Sequence, residues 1–288
     1  MQSFSFDIYI NRFNDFLVLR DLTHNTITSY NSMLRSFLQW IDAHLSKPPE
    51  NVSFDEIRQY LLFLKRDRKL SNRSINAHIS QLGFLYCYVL RMPWNKYEVP
   101  FMKFNTSLPT VLTPEQAQTF ISTIPNIRQK ACIALLYSAG LRVSEVRHLK
   151  YDHISRKEMR IYISCSKSRS DRYAILSQKT LDILTKYWIA CGRPRNWLFP
   201  GRNGNPICSR TISCFIQEHL SQLGWDIPIS AHTFRHCFGT HLYEQGYDLL
   251  TIQKLLGHKC AASSLIYISL GTRAMSKIVS PFDCEVQS

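Results

Sequence analysis

The feature that most constrains the fold is a 22-residue stretch, 91–112, in which helical periodicity stops. It reads RMPWNKYEVPFMKFNTSLPTVL and holds prolines at 93, 100 and 109, with lysines at 96 and 103. Proline lacks an N–H donor and interrupts helices, so the stretch predicts a semi-extended basic linker. We therefore expect two domains, residues 1–92 and 109–288, joined by a linker over 93–108.

The first part of the chain is predicted to be helical. Three segments repeat apolar residues at spacings of three and four, the period of one helix face. The capping candidates are Thr23 or Asn25 for the first segment, Ser53 for the second and Ser71 for the third. The apolar positions are Ile27, Tyr30, Leu34, Phe37, Leu38 and Ile41, then Phe54, Ile57, Tyr60, Leu61 and Leu64, then Ile75, Ile79, Leu82, Tyr86 and Val89.

The second part mixes helices with one hairpin. A capped start at Thr113-Pro114-Glu115 opens a helix to about residue 124. Two β-rich runs, RIYIS and RYAIL within residues 158–177, flank a polar turn and predict an antiparallel hairpin. Further helices are predicted at 129–138, from 144, and at 178–190, 209–223, 231–245 and 248–257. The fold class is mainly α with a small antiparallel β-sheet.

Charge points to a polyanionic partner. The chain has 35 basic and 21 acidic residues, a net charge of +14 and a pI near 9.5. Residues 106–288 hold 22 of the basic and 12 of the acidic groups, so most of the positive field belongs to the second part. No amphipathic lysine-rich terminal helix is visible, which favours nucleic acid over a membrane surface.

Targeting signals and cysteines bear on the compartment. No apolar run is long enough to span a bilayer, and the first residues lack the order of a signal peptide, so we expect a soluble, cytoplasmic protein.

Nine cysteines without a CxxC pair or a repeated spacing predict reduced, mostly buried thiols rather than a disulfide framework or zinc ribbon.

The third predicted helix has a polar face that includes Arg73 and Asn76, close to the basic run KRDRK at 65–69. Such a face is either simply solvated or in contact with DNA, and sequence does not separate the two readings. Arg73, Asn76 and the linker residue Lys103 are the candidate DNA contacts.

The polar residues of the second part have ordinary explanations one by one. His232 and His236 are four apart, as zinc ligands often are, but Thr233 stands where a zinc peptidase needs its glutamate, so we predict no metal site. Taken together, two arginines, a lysine, histidines and a tyrosine suit attack on a phosphodiester. Arginines clamp the two non-bridging oxygens, a histidine holds the nucleophile's proton, and a lysine protonates the leaving oxygen.

A tyrosine nucleophile needs help from its surroundings. With an ordinary pKa of about 10, a phenol is ionised roughly once in a thousand at pH 7, so it requires a positive field or a base. A cluster of arginines, lysine and histidines would supply both.

Four motifs occur in order across residues 139–267 and closely resemble those of the tyrosine recombinase (phage integrase) family. In size and layout the chain resembles the Xer-like recombinases and transposon integrases. The motifs are AGLRVSEVRHL, SKSRSDRYAILS, HTFRHCFGTHL, and LLGH followed nine residues later by Tyr267. The segment TITSYNSMLRSFLQWI at 26–41 also looks like the family's core-binding domain, so the similarity covers nearly the whole chain. The resemblance implies a helical core-binding domain followed by an α+β catalytic domain.

The resemblance also implies roles for individual residues. Arg142 and Arg235 would bind the scissile phosphate, and His232 would act beside them as general base or hydrogen-bond donor. Lys167 would be the general acid, His258 would donate to a phosphate oxygen, and Glu145 would orient the pocket. Tyr267 would attack and leave a 3'-phosphotyrosyl bond. The hairpin lacks the glycines usual around the family's lysine, so Arg169 or Arg172 could be mistaken for the active cation.

Partners and rival functions follow from the same resemblance. We expect double-stranded DNA with paired sites, a homotetramer on that DNA coupled through the tail at 268–288, and no cofactor or membrane. An accessory DNA-bending or excision factor is a candidate partner. The alternatives are a type IB topoisomerase-like relaxing enzyme and an accessory DNA-binding protein with weakened catalysis.

Overall fold

The computed structural model describes residues 6–105, 108–164, 171–257 and 262–270. The chain divides into two compact units, Met1–Thr106 and Ser107–Ser288, and this division falls within the predicted linker. In the described ranges, no helix combines the length and apolar character needed to cross a membrane.

The first unit is built from helices, as predicted. Side-chain caps start three of them: Thr23 accepts from the Thr26 N–H, Ser53 forms a capping box with Glu56, and Ser71 accepts from the Ser74 N–H. The helices are α1 (Phe6–Leu19), α2 (His24–His44), α3 (Phe54–Arg66) and α4 (Asn72–Phe84). Helix α1, which the sequence analysis did not identify separately, packs Ile10, Phe13 and Leu17 into the common core.

The predicted apolar faces form that core. On α2, Leu34, Phe37, Leu38 and Ile41 are fully buried, whereas Ile27 and Tyr30 lie at its edge. The faces of α3 and α4 behave in the same way, and their buried members are Ile57, Tyr60, Leu61 and Leu64, then Ile75, Ile79 and Leu82. Burial of these side chains supplies most of the unit's stability, at about 1.5–3 kcal/mol for each large apolar group.

Residues 93–105, assigned to the linker by sequence, attach to the first unit. Val99 is buried in its core, and Trp94 and Met102 pack against it. The carboxamide of Asn76 fixes the segment, because its Nδ2 donates to the Met102 carbonyl at 2.9 Å and its Oδ1 accepts from the Met102 N–H at 2.7 Å.

The second unit surrounds a helix whose central residues are buried on every side. Helix α6 buries every residue from Ala131 to Leu136 and packs against α5, α8, α9 and α10. The helices of this unit are α5 (Pro114–Thr123), α6 (Ile127–Ser138), α7 (Val143–Arg147), α8 (Gln178–Ala190), α9 (Ser209–Leu223), α10 (Ala231–Glu244), α11 (Leu249–Leu256) and α12 (Ala262–Leu270). The bounds of α5 to α11 agree with the predicted helices within a few residues, whereas α12 was not among the predicted helices.

A three-stranded antiparallel sheet covers one side of this core, in the order β1 (Ile154–Ser155), β2 (Arg160–Ile163), β3 (Arg172–Ile175). Strands β2 and β3 are the predicted hairpin, and Ile161 lies opposite Ala174 with both side chains buried. The short strand β1 was not predicted, because two residues are too few to show an alternating pattern.

The prediction of mostly buried thiols is wrong for the six cysteines that the structure describes as free. Cys132 and Cys237 are buried, whereas Cys87, Cys191, Cys208 and Cys214 are exposed. Position explains the difference, since Cys191 and Cys208 are helix caps at the ends of α8 and α9, where the chain meets solvent.

The double hydrogen bond of Asn76 yields the first prediction. Asn76→Ala leaves the Met102 N–H and carbonyl without this partner, which we expect to cost about 1 kcal/mol locally and to raise amide exchange at Met102 roughly fivefold. Hydrogen exchange measured by NMR checks this, with the exposed Gln59→Ala on α3 as the control. Unchanged exchange at Met102 in Asn76→Ala would show that the segment is held by its apolar contacts alone.

Candidate active site

A glycine turn places Arg142 at the start of α7. After α6 ends, Gly140 adopts φ +58°, and a Cβ there would lie 2.4 Å from the Phe238 ring, so only glycine fits. Arg142 is then the N-cap of α7, and its N–H donates to the Glu145 carboxylate at 2.8 Å. The turn therefore brings the backbone and the side chain of Arg142 to the same carboxylate.

Arg235 reaches the same place from α10. Its side chain is only 5% exposed, and it donates to the carbonyls of Gly140 and Leu256, each at 2.5 Å. Burial, followed by the charge of Arg142, lowers the pKa of Arg235 to about 10. The guanidinium therefore stays charged at neutral pH.

Glu145 lies among three arginines. Its oxygens accept from Arg142 at 2.8 Å and from Arg172 at 2.7 and 2.9 Å, and the Arg235 guanidinium is 3.8 Å away. Burial alone raises the pKa of a carboxyl, but the hydrogen bonds and charge of Arg172, with those of Arg142, outweigh it and lower the pKa of Glu145 to about 2. Glu145 is thus an anion buried among cations.

The C-terminus of α11 holds the arginines from the other side. Gly257 ends this helix in the left-handed conformation, at φ +63°. Three successive carbonyls, those of Leu255, Leu256 and Gly257, accept from Arg172, Arg235 and Arg142 respectively. The last carbonyls of a helix lack intrahelical donors and carry partial negative charge, so they suit cations.

Tyr267 is buried on α12, with 1% of its surface exposed. Its ring lies against Gly239 of α10, where a Cβ would come within 2.4–2.8 Å of the ring carbons. Burial raises the pKa of Tyr267 to about 12, against the lowering effect of Arg235 and Arg142. The arginines are therefore near the phenol, but burial outweighs their field in this conformation.

The other predicted active-site residues are placed differently. His232 is exposed in the first turn of α10, three residues before Arg235. Lys167 and His258 lie outside the described residues. The structure thus brings Arg142, Glu145, Arg235 and Tyr267 into one region, with His232 on the same helix as Arg235.

Arg172 is the main member of the site that sequence reasoning missed. The hairpin prediction placed it next to the candidate lysine, and only as a cation that could be mistaken for it. It is the first residue of β3, and all three of its side-chain nitrogens are bonded, to Glu145 and to the Leu255 carbonyl. The sequence signal for it was its position as the first residue of the β-rich run RYAIL.

The candidate DNA contacts belong to the first unit. Arg73 and Lys103 are exposed, and the Arg73 guanidinium lies 5.2 Å from the centre of the Phe104 ring. The Asn76 carboxamide is engaged by Met102, as described above, so its hydrogen-bonding atoms serve the protein backbone in this conformation. DNA contact by these residues stays a prediction.

Comparisons with known proteins agree with this architecture. The model for the phage integrase family matches residues 110–272, and the model for the phage integrase N-terminal SAM-like domain matches residues 9–96. The chain is 34% identical over 276 residues to y4qK of Sinorhizobium fredii, whose name describes an integrase/recombinase, with 94% of this chain and 87% of that protein covered.

A second relative and a solved structure extend the comparison. The tyrosine recombinase XerC of Anoxybacillus flavithermus is 29% identical over 279 residues, which covers 90% of this chain and 91% of that protein. The fold is similar to that of the XerH site-specific recombinase bound to its difH substrate, with a TM-score of 0.70, 20% identity, and coverage of 88% and 79% of the two chains. The chain therefore belongs to the phage integrase family of tyrosine recombinases.

The arginine partners of Glu145 predict how stability depends on pH. Glu145→Gln is expected to lower the free energy of unfolding at neutral pH by about 3 kcal/mol, because lowering the pKa from 4.5 to about 2 is worth roughly 1.4 kcal/mol per unit. The folded pKa is the lower one, so this stability is present above about pH 4.5 and is lost as the pH falls toward 2.

Urea unfolding from neutral pH down to about pH 3 tests this prediction. Glu158→Gln is the matched control, since Glu158 pairs with Arg160 on the surface and should change stability by less than about 0.5 kcal/mol. A Glu145→Gln effect of the same size at every pH would contradict the electrostatic explanation.

Proposed function

We propose that this chain is a site-specific DNA recombinase that cuts and rejoins DNA strands with Tyr267 as nucleophile. The observation that carries the proposal is the convergence of Arg142 and Arg235 on one carboxylate, in the region of a buried tyrosine whose pKa both arginines lower. Family membership supplies the reaction class, and the relatives named above are recombinases. A DNA substrate is compatible with the predicted cytoplasmic location.

The proposed reaction transfers a phosphodiester to the enzyme and back. The Tyr267 oxygen attacks the scissile phosphorus, and the bond from phosphorus to the 5' oxygen breaks. His232 takes up the phenolic proton as general base, and Lys167 protonates the departing 5' oxygen. The product is a 3'-phosphotyrosyl bond with a free 5' hydroxyl. In the second step the 5' hydroxyl of another strand gives its proton to Lys167 and attacks the phosphotyrosyl phosphorus, the bond to the Tyr267 oxygen breaks, and His232 returns the proton to that oxygen.

The arginines perform the electrostatic part of this reaction. Negative charge accumulates on the two non-bridging oxygens in the transition state, and planar guanidiniums bind such oxygens with paired hydrogen bonds. His258 donates a further hydrogen bond to the phosphate. We propose that these side chains do the work for which other phosphoryl-transfer enzymes use magnesium, so that cleavage requires no divalent metal.

Burial of Tyr267 adds a condition to the mechanism. With a pKa of about 12, roughly one phenol in 100,000 is ionised at pH 7, far fewer than for an exposed tyrosine. The hydroxyl must therefore meet its base and the phosphate together, and we propose that α12 shifts away from Gly239 when DNA binds.

Covalent trapping tests the proposed chemistry. DNA fragments that flank the protein's own gene are incubated with wild type or Tyr267→Phe in EDTA, denatured in SDS and examined for protein–DNA adducts. We expect an adduct from wild type and none from Tyr267→Phe, because phenylalanine lacks the attacking oxygen. Tyr247→Phe, at an exposed tyrosine of the same unit, should still form the adduct.

Each contrary outcome identifies a different error. An adduct from Tyr267→Phe would assign the nucleophile elsewhere, and a requirement for divalent metal would overturn the arginine-based mechanism. Relaxation of supercoils without strand exchange would favour the topoisomerase-like alternative. Tight binding without any adduct from wild type would favour the accessory DNA-binding protein.

The proposed assembly on DNA is a homotetramer that pairs two sites and is coupled through the tail. We expect the mass of the complex on the adduct-forming fragment to correspond to four subunits on two DNA molecules, as measured by light scattering. Deleting residues 272–288 should leave smaller complexes that still bind DNA. A truncated protein that assembles as well as the full chain would rule out coupling through the tail.

A further inference from the structure

The site contains a third arginine that the proposed chemistry does not use. The Arg172 side chain is 11% exposed and spans from β3 to the end of α11. Its Nη1 and Nη2 each donate to a different oxygen of Glu145, at 2.7 and 2.9 Å, and its Nε donates to the Leu255 carbonyl at 3.0 Å. With all three nitrogens engaged by protein, Arg172 is poorly placed to hold a phosphate itself.

The backbone of α11 is shaped to admit this side chain. At Gly257 an added Cβ would lie 2.9 Å from Arg172 Cδ and 3.1 Å from its Nε. The left-handed conformation at Gly257 turns the chain over the arginine, and the missing Cβ leaves room for it. Arg172 is therefore an integral, packed residue of the site rather than a surface arginine.

Charge balance gives Arg172 a function. Arg142, Arg172 and Arg235 carry three positive charges and Glu145 one negative charge, which leaves the cluster with two. A phosphodiester brings one negative charge, and a second develops on its oxygens as the nucleophile attacks. The cluster with Arg172 matches this charge, whereas the cluster without Arg172 falls one short.

Geometry points the same way. Arg172 makes the forked, two-bond contact with Glu145, while Arg142 donates one side-chain hydrogen bond to it and Arg235 stands off at 3.8 Å. If Arg172 were absent, the carboxylate would be available to draw Arg142 and Arg235 into forked pairs of their own. Their N–H groups would then be turned away from a substrate phosphate.

We propose that Arg172 is a positioning residue that neutralises Glu145, and thereby leaves Arg142 and Arg235 oriented for the scissile phosphate with their positive charge uncompensated. This inference rests on the proposed function, because it assigns the phosphate to those two arginines. It goes further, because it makes Arg172, a cation that does not contact DNA, the residue that determines how strongly Arg142 and Arg235 bind the phosphate.

A double variant separates this role from simple support of the fold. Arg172→Met should lower the single-turnover cleavage rate between about 10-fold and 100-fold, with the Kd for DNA changed less than about threefold. Adding Glu145→Gln removes the charge that Arg172 compensates and returns the cluster to two positive charges. The double variant should therefore cleave faster than Arg172→Met alone.

Controls address folding and surface charge. Arg160→Met removes an arginine from the same sheet, one that pairs with Glu158 on the surface, and should leave cleavage unchanged. Arg172→Lys keeps the charge with fewer hydrogen bonds, remains informative if the methionine variant does not fold, and should lose less activity than Arg172→Met. Thermal unfolding of each variant verifies that the fold is retained.

The outcomes distinguish this inference from the proposed function. A double variant as slow as Arg172→Met, or slower, would overturn compensation, and a parallel loss of DNA affinity would show that Arg172 contacts DNA. If wild type forms no adduct, the proposed function fails, yet titration of the proteins with inorganic phosphate still tests Arg172. Binding is followed by the NMR signals of the arginine Nε–H groups. Phosphate should bind more weakly to Arg172→Met than to wild type, and its affinity should recover in the double variant. Equal affinity in all three proteins would refute the inference.

Discussion

The arginine cluster of the second unit depends on one buried carboxylate. Glu145 has a side chain that is 4% exposed and is bonded to two arginines, with a third within 4 Å. Removing a charge from water is costly, and the arginines are stable in a buried place because Glu145 and the end of α11 compensate them. The same arrangement leaves a surplus of positive charge, and that surplus is what a phosphate-binding site requires. Under the proposed function, the same cluster therefore contributes both to stability and to phosphate binding.

Burial has the opposite effect on the tyrosine. The low-dielectric surroundings strengthen the hydrogen bonds of the arginines to Glu145 and to the end of α11, but they raise the pKa of Tyr267 and keep the phenol protonated. Under the proposed function, the features that favour phosphate binding would therefore also keep the nucleophile unreactive until DNA binds. Gly239 permits the close packing that creates this state, because any larger residue would meet the ring. In the proposed mechanism, reactivity then depends on how DNA changes the environment of α12.

Sequence predicted the parts of this protein that local patterns determine. The periodic faces of α2, α3 and α4 and the hairpin of β2 and β3 follow from spacing, which reflects burial on one side of an element. Arg142, Glu145, Arg235 and Tyr267 came from motifs read together, and the structure brings them into one region, although their catalytic roles stay predictions. These residues are up to 125 positions apart, so spacing alone could not have joined them.

The sequence did not predict which distant residues contact each other. The role of Arg172 depends on hydrogen bonds to Glu145 and Leu255, which lie 27 and 83 positions away. Helix α1 was not predicted as a separate element. The exposed cysteines were predicted to be buried, because the burial of a small thiol depends on where an element ends. Contacts between distant segments are fixed by tertiary packing, and no pattern within a short window records them.

The end of α11 connects these features mechanically. Its last carbonyls bind Arg172 from the sheet, Arg235 from α10 and Arg142 from the start of α7, so four elements meet at one helix terminus. The residues that follow this terminus lead to His258 and then to Tyr267 in the sequence. A shift of the terminus would therefore move the three arginines and the start of the segment that leads to Tyr267 together. Because the three arginines share this support, the site is held as a unit rather than as independent side chains.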